Sequence, residues 1–286
     1  MSARLYFTAA APFEAARQVD ILPAGHRARR LHGHSFLARV RAEFPPAVAS
    51  FPGAESDVLA ERLRAAVAPL DYALLNEHLP TPTDENLARW LQARLDLPGL
   101  ASVGIHSTRD RGVDLDDRDH AHLWRRFRFE AAHRLPHVPP GHPCGRMHGH
   151  GFEIILHVDQ DLGDRDLGVD YDRIDALWAP LHAELHHACL NELPGLDNPT
   201  SERLAGWLWE RLRPQLPPLS WVTVYETATA GCHYDGRHYR IWKERTFDSA
   251  LRLRRAPADD PRRRLHGHSY RIRLHLTAPL DEIRGW

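Results

Sequence analysis

Three imidazole pairs stand out in this chain of 286 residues: His32 and His34 in "RRLHGHSF", His148 and His150 in "GRMHGHGF", and His266 and His268 in "RRLHGHSY". Each pair is split by one glycine, so in a strand both rings point to the same side. The middle pair has further company. His133 lies on the preceding strand-like run "FEAAHRL", where hairpin pairing brings it alongside, and Cys144 lies four residues before His148. Three histidines without a fourth protein ligand make the donor set of a catalytic zinc, which keeps one position open for water or substrate. A histidine-rich turn of no function has the same local spelling, and comparison between copies separates the two readings. The position of His133 is Arg17 in the first copy and Leu251 in the third, and that of Cys144 is Ala28 and Arg262. The groups absent outside the middle copy are lost together, as expected if they serve one site.

Those copies belong to a longer repeat. The HGH triplets are spaced by 116 and 118 residues, "FEAARQV" and "FDSALRL" echo "FEAAHRL", and "PTDENLARWLQARL" from Pro82 answers "PTSERLAGWLWERL" from Pro199. The chain therefore reads as two whole modules, residues 1–120 and 121–238, and the opening hairpin of a third, 239–286, which stops at "LDEIRGW" before its helices. Either the sequence is a fragment or the last strands pack on another module or chain. Within a module the order is ββααββ, an α+β pattern. "FRFEAAHRL" and "GFEIILHVD" alternate as half-buried antiparallel strands do. A helix follows from Tyr171 to about Cys189, with a kink or break at Pro180. A second begins after Pro199 with Thr200 as its N-cap and Glu202 in its first turn. Its Leu204, Trp207, Leu208 and Leu212 share one face. The strand "SWVTVYET" then carries Glu226 near its end. The joints "HAHLWRRFRFEAA" and "RHYRIWKERTFDSA" are strand-like, so the last strand of one module passes straight into the first of the next.

Composition excludes several classes. Lys+Arg 37 against Asp+Glu 38 leaves a formal charge of -1, which advertises neither a nucleic-acid groove nor a membrane surface. The first residues lack the apolar stretch of a secretory signal and no run is long enough to span a bilayer, so a cytoplasmic protein is expected. Three widely spaced cysteines make no disulfide framework. Twenty-one histidines are also open to a reading as metal storage, against which the retention of Cys144 and Glu226 in one module argues.

The stretches "FEAAHRLPHVPPGHPCGRMHGH", "CLNELPGLDNPTSERLAGWLW" and "YETATAGC" resemble the 6-pyruvoyltetrahydropterin synthase family, in particular the bacterial 6-carboxytetrahydropterin synthases of queuosine biosynthesis. The likeness covers about 124–235, and the flanking segments are eroded copies. It implies a tunnelling (T) fold, whose modules join antiparallel sheets around a barrel, in a homo-oligomeric ring with active sites between neighbouring modules. It also implies Zn2+ on His133, His148 and His150, a catalytic Cys144, and Glu226 as the anchor of the pterin. Thr200, Ser201 and Glu202 match a stretch that approaches the pterin; for the triphosphate, Arg134 and Arg146 are candidates by position alone. The implied reaction turns 7,8-dihydroneopterin triphosphate into 6-carboxy-5,6,7,8-tetrahydropterin, releasing triphosphate and acetaldehyde. A thiolate at Cys144, favoured by a nearby cation, would move the proton. One departure matters. An Asp-His pair assists the cysteine in the family, but "LHHACLN" offers His186 and His187, and "LDYALLN" offers Asp71 and Tyr72. The alternatives are thus a synthase with another product, such as the 6-pyruvoyl compound, or a non-catalytic pterin-binding scaffold. The Glu226 position in the first module is read as His106.

Overall fold

The computed structural model describes residues 4–45, 48–281 and 283–285. It divides into two compact units, the first formed by Met1–Leu123, Gln160–Gly168 and Ser249–His268 and the second by Trp124–Asp159, Val169–Asp248 and Ser269–Trp286. In the first unit β1 (Phe7–Arg17) and β2 (His32–Ala42) form a long antiparallel hairpin. Helix α1 (Glu55–Val67), the two-residue strand β3 (Ala73–Leu74) and α2 (Asp84–Leu95) follow, then β4 (Leu100–Thr108) and β5 (Arg111–Asp116). The strands lie in the order β5-β4-β2-β1-β3. The second unit repeats the plan with β6 (His120–His133), β7 (His148–Asp161), α3 (Tyr171–Leu185), α4 (Ser201–Leu212), β8 (Leu219–Thr227), β9 (Ala230–Tyr234) and β10 (Tyr239–Leu251), ordered β10-β9-β8-β7-β6. Strand β11 (His266–Ala278) lies beside β10. The mixed α+β order ββααββ is as the patterning predicts, with β3 added. Both joints are single uninterrupted strands, β6 and β10.

Alternation explains the cores. Every second residue of β1 from Ala11 is buried, and β7 buries Phe152, Ile154, Leu156 and Val158 in the same rhythm. The face so formed is covered by amphipathic helices: Leu204, Leu208 and Leu212 of α4 are at most 1% exposed and Trp207 only 4%. A stacked aromatic pair crosses each opening hairpin, Phe13 with Phe36 at 4.9 Å and Phe129 with Phe152 at 5.0 Å. Phe247 and Tyr270 stack likewise between β10 and β11.

Two local expectations are corrected. Helix α3 runs through Pro180 without a break, because the carbonyl freed by the missing N–H belongs to Ala176 on the exposed face, where water can satisfy it. It also ends at Leu185, short of Cys189. His186 is already extended and His187 is left-handed at φ 61, because this segment pairs with β6: His187 N–H donates to the Glu130 carbonyl at 2.7 Å and Ala132 N–H to that of Ala188 at 2.9 Å. Among the described residues no helix is long and apolar enough to cross a membrane.

Candidate metal and pterin site

In the second unit His133 ends β6, and His148 and His150 begin β7. Their ligand-capable nitrogens all lie within 4.8 Å of one another. The reason is the same for each ring. Nδ1 faces a backbone carbonyl, that of Pro199 for His133 (3.3 Å), Arg146 for His148 (2.9 Å) and Gly151 for His150 (3.3 Å). Those contacts favour a proton on Nδ1 and leave the lone pair on Nε2; the Nε2 atoms of His133 and His150 are 3.1 Å apart. Three nitrogens so collected suit a tetrahedral metal with one position open. Burial pushes the His133 imidazole below its ordinary range, partly opposed by the charge of Glu226, so it stays neutral as a ligand must. Glycine at 149 is required by the adjacent strand. Its missing side chain points to the other face, where a Cβ would come within 3.0 Å of the Ala131 carbonyl.

Glu226 closes the site from β8. Its Oε1 is 4.0 Å from His150 Nε2, and its Oε2 accepts from the Ser201 hydroxyl at 2.8 Å. Thr200 caps α4 by accepting from Arg203 N–H at 3.2 Å. Glu202 is 6% exposed, and burial pushes its carboxyl up to about 7. Cys144 lies in the one-turn helix Pro143–Gly145, where His142 accepts from its N–H at 3.2 Å, and it stays outside the group of three histidines. Arg134 and Arg146 are both exposed. The main chain of Arg134 is clamped by Asn191, which accepts from its N–H and donates to its carbonyl.

The His186–His187 pair lines another cavity of the same unit, about 640 Å3, together with Glu130, Phe129 and Tyr225, and none of the three clustered histidines borders it. His186 Nδ1 accepts from Glu130 N–H at 3.2 Å. In the first unit Asp71 does the same for Glu14 N–H at 2.9 Å, and Tyr72 at φ 54 repeats the left-handed turn of His187. Glu130, which sequence reasoning missed, brings its carboxylate to 3.6 Å from His187 Nε2. The only hint of it in the sequence is that "FEAA" recurs.

Strand pairing also corrects one equivalence. Glu153 lies opposite Tyr225 in the second unit and Leu37 opposite His106 in the first, so His106 corresponds to Tyr225 and the counterpart of Glu226 is Ser107.

Against known proteins, the family model described as 6-pyruvoyl tetrahydropterin synthase matches residues 6–116, 122–237 and 240–286 in succession. The 6-carboxy-5,6,7,8-tetrahydropterin synthase of Synechocystis sp. is 35% identical over 119 residues, which is 39% of this chain and 91% of that protein. The dihydroneopterin monophosphate aldolase of Pyrococcus furiosus is 30% identical over 97 residues, 34% of this chain and 79% of that protein. The structure of Caenorhabditis elegans 6-pyruvoyl tetrahydropterin synthase aligns at 20% identity and a TM-score of 0.35, covering 38% of this chain and 90% of that one. With the family model matched three times along its length, the chain belongs to the 6-pyruvoyl tetrahydropterin synthase family as a tandem fusion of its modules.

Proposed function

We propose that the chain is a zinc-dependent 6-carboxy-5,6,7,8-tetrahydropterin synthase of the queuosine (7-deazaguanine) pathway, a carbon-carbon lyase acting on 7,8-dihydroneopterin triphosphate. The observation that supports this is the clustering of one ring nitrogen from each of His133, His148 and His150 within 4.8 Å, with the Glu226 carboxyl group 4.0 Å from His150 Nε2. The relative in Synechocystis supports the choice of product. When bound, zinc supplies Lewis-acid stabilisation to an oxygen that gains charge as the neighbouring carbon loses a proton. The protein does the rest. Glu226 accepts two hydrogen bonds from the amino-pyrimidine edge of the pterin, and Ser201 fixes that carboxylate in place. Thr200 and Glu202 shape the same wall from the first turn of α4. Cys144, as thiolate, takes the proton from the side chain, and Arg134 and Arg146 stand by for the triphosphate. His187 serves as proton-transfer partner to a cysteine of a neighbouring module, with Asp71 and His186 at the family's aspartate position. The modules join sheets around a barrel in a homo-oligomeric T-fold ring.

One observation favours a second reading. The aspartate position holds His186, whose Nδ1 accepts from the Glu130 N–H as Asp71 accepts from that of Glu14, so the second unit has no carboxylate at that position to orient His187. A synthase with a different product, such as the 6-pyruvoyl compound, or a pterin-binding scaffold fits that loss. Turnover of dihydroneopterin triphosphate by the zinc-loaded protein, with product mass measured and Cys144→Ala as control, decides. The 6-carboxy product, lost in the variant, upholds the lyase. Another product mass, or bound pterin without turnover, replaces it.

A further inference from the structure

The first unit builds the same pocket from different parts. Arg17 ends β1 where His133 ends β6, and the surroundings match. Arg17 Nη1 donates to the Pro82 carbonyl at 2.8 Å, as His133 faces that of Pro199. Its guanidinium lies 5.1 Å from the Phe36 ring, and the His133 ring lies 5.4 Å from that of Phe152. The acid and the hydroxyl beside them have changed places. In the second unit the helix residue Ser201 donates to the strand residue Glu226; in the first, the strand residue Ser107 donates to the helix residue Asp84, and both bonds are 2.8 Å. The exchange sets the carboxylate on Arg17, in an ion pair of 2.8 Å whose side chains are 7% and 2% exposed. Arg111 adds a second cation through Ser107 Oγ at 3.3 Å.

His32 and His34 remain beneath this pair. Their rings meet edge to face at 5.1 Å, and His32 Nδ1 faces the Arg30 carbonyl at 2.7 Å, as His148 faces that of Arg146. Burial pushes the His34 imidazole down to about 4, and the charges of Arg17 and Arg111 push the same way. The group at the third position separates the pockets. In the second unit the His133 ring stands there, with the Glu226 carboxyl group 4.0 Å from His150 Nε2. In the first unit the place of the third histidine is taken by the Arg17 guanidinium, paired with Asp84, so an arriving metal ion finds two histidines and a cation where the third ligand would stand.

We infer that Arg17 is a built-in cation that takes the place of the metal in the first unit, so that the chain holds a single ion, at His133, His148 and His150, and the first pocket keeps its shape without one. The inference rests on the metal reading of the second unit. The test counts metal on the full chain by elemental analysis and by cobalt(II) absorbance. One equivalent is expected, lost in His133→Ala and retained in the double variant His32→Ala, His34→Ala. Combining Arg17→His, Asp84→Ser and Ser107→Glu should add a second equivalent, which His32→Ala then removes. Two equivalents on the unaltered chain, one of them lost with His32 and His34, would overturn the inference. So would a folded triple variant that gains nothing. If that variant does not fold, melting of Arg17→Lys and Arg17→Met decides: Lys should retain most of the melting temperature and Met should not, and equal losses overturn the idea. An unaltered chain without metal would overturn the metal reading of the second unit and with it the count of one ion, while the triple variant and the Lys/Met pair still test whether Arg17 holds the first pocket in place of a metal.

Discussion

The two units spend the same backbone on unlike pockets, and the contrast shows which residues serve the fold. Thr83 and Thr200 cap α2 and α4 in the same way, accepting from Asn86 and Arg203 N–H. Asp71 and His186 both accept from a glutamate N–H on the opening strand. His26 and His142 both accept from the N–H two residues on. Residues that satisfy the main chain are thus kept in kind or replaced by another acceptor. The positions that set the pocket's charge changed as a group: Arg17 for His133, Asp84 for Ser201, Ser107 for Glu226. A carboxylate added on the helix without a cation on the strand would be a buried unpaired charge, which explains why the exchange is concerted.

The contrast can be broken most forcefully at its centre. Arg17→Ala removes the buried cation 2.8 Å from Asp84 and should destabilise the first unit by about 3–5 kcal/mol in chemical denaturation, with metal content unchanged. His133→Ala should abolish metal binding and turnover with a much smaller loss of stability; equal stability losses would erase the distinction. Next is pH. Glu202, raised to about 7 from 4.5, binds its proton more tightly when folded, so its contribution declines as pH rises between those values, on the order of 3 kcal/mol in total. Glu202→Gln should flatten that decline in the second unit. Burial pushes Asp84 up, but Arg17 and the Ser107 hydroxyl outweigh it and hold the carboxyl below its ordinary 3.8. Its stabilisation is therefore full above pH 3.8 and lost as pH falls through the lower folded value, an acid limb that Arg17→Ala should remove from the first unit's unfolding profile.

At Glu226 the expected effect is smaller. Glu226→Gln removes a charged acceptor, a loss of about 1.5–3 kcal/mol that lowers kcat/KM roughly 10- to 150-fold. Ser107→Ala should cost about 1.5–3 kcal/mol of stability, because the lost bond is to a carboxylate, and nothing in turnover; impaired turnover would show that the first pocket takes part in the chemistry. The mildest changes are Thr83→Ala and Thr200→Ala, each about 1 kcal/mol by thermal melting, with near equality expected because the caps are alike.

Features fixed by local chemistry were readable in the sequence. The alternating strands, the Thr200 cap, the α4 face and the pairing of His148 with His150 follow from neighbours a few residues away. What escaped depends on distant partners. The end of α3 is set by main-chain pairing of 187–188 with β6, which no helix signal near Cys189 records. The role of Gly149 is set by the Ala131 carbonyl of the adjacent strand. Ser107 was passed over because the repeat is not rigid. Helices α2 and α4 are 117 residues apart, but two more residues separate α4 from β8 than α2 from β4, and only the pairing of Leu37 with His106 and of Glu153 with Tyr225 restores the register. Glu130 meets His187 across 57 residues of chain, and sequence offers no sign of that contact.

The inward turn of the first histidine in each triplet has a wider consequence. His32, His148 and His266 all set Nδ1 on the carbonyl two residues earlier, at 2.7, 2.9 and 2.8 Å, whether or not a third ligand exists. That geometry belongs to the turn, since it is the same beside Arg17 and Leu251 as beside His133. In a duplicated gene such triplets are inherited with the loop that shapes them, and they record ancestry where a census of motifs would count occupancy. The informative letter is sixteen places upstream of the HGH glycine, where His133 is spelled Arg17 in the first copy.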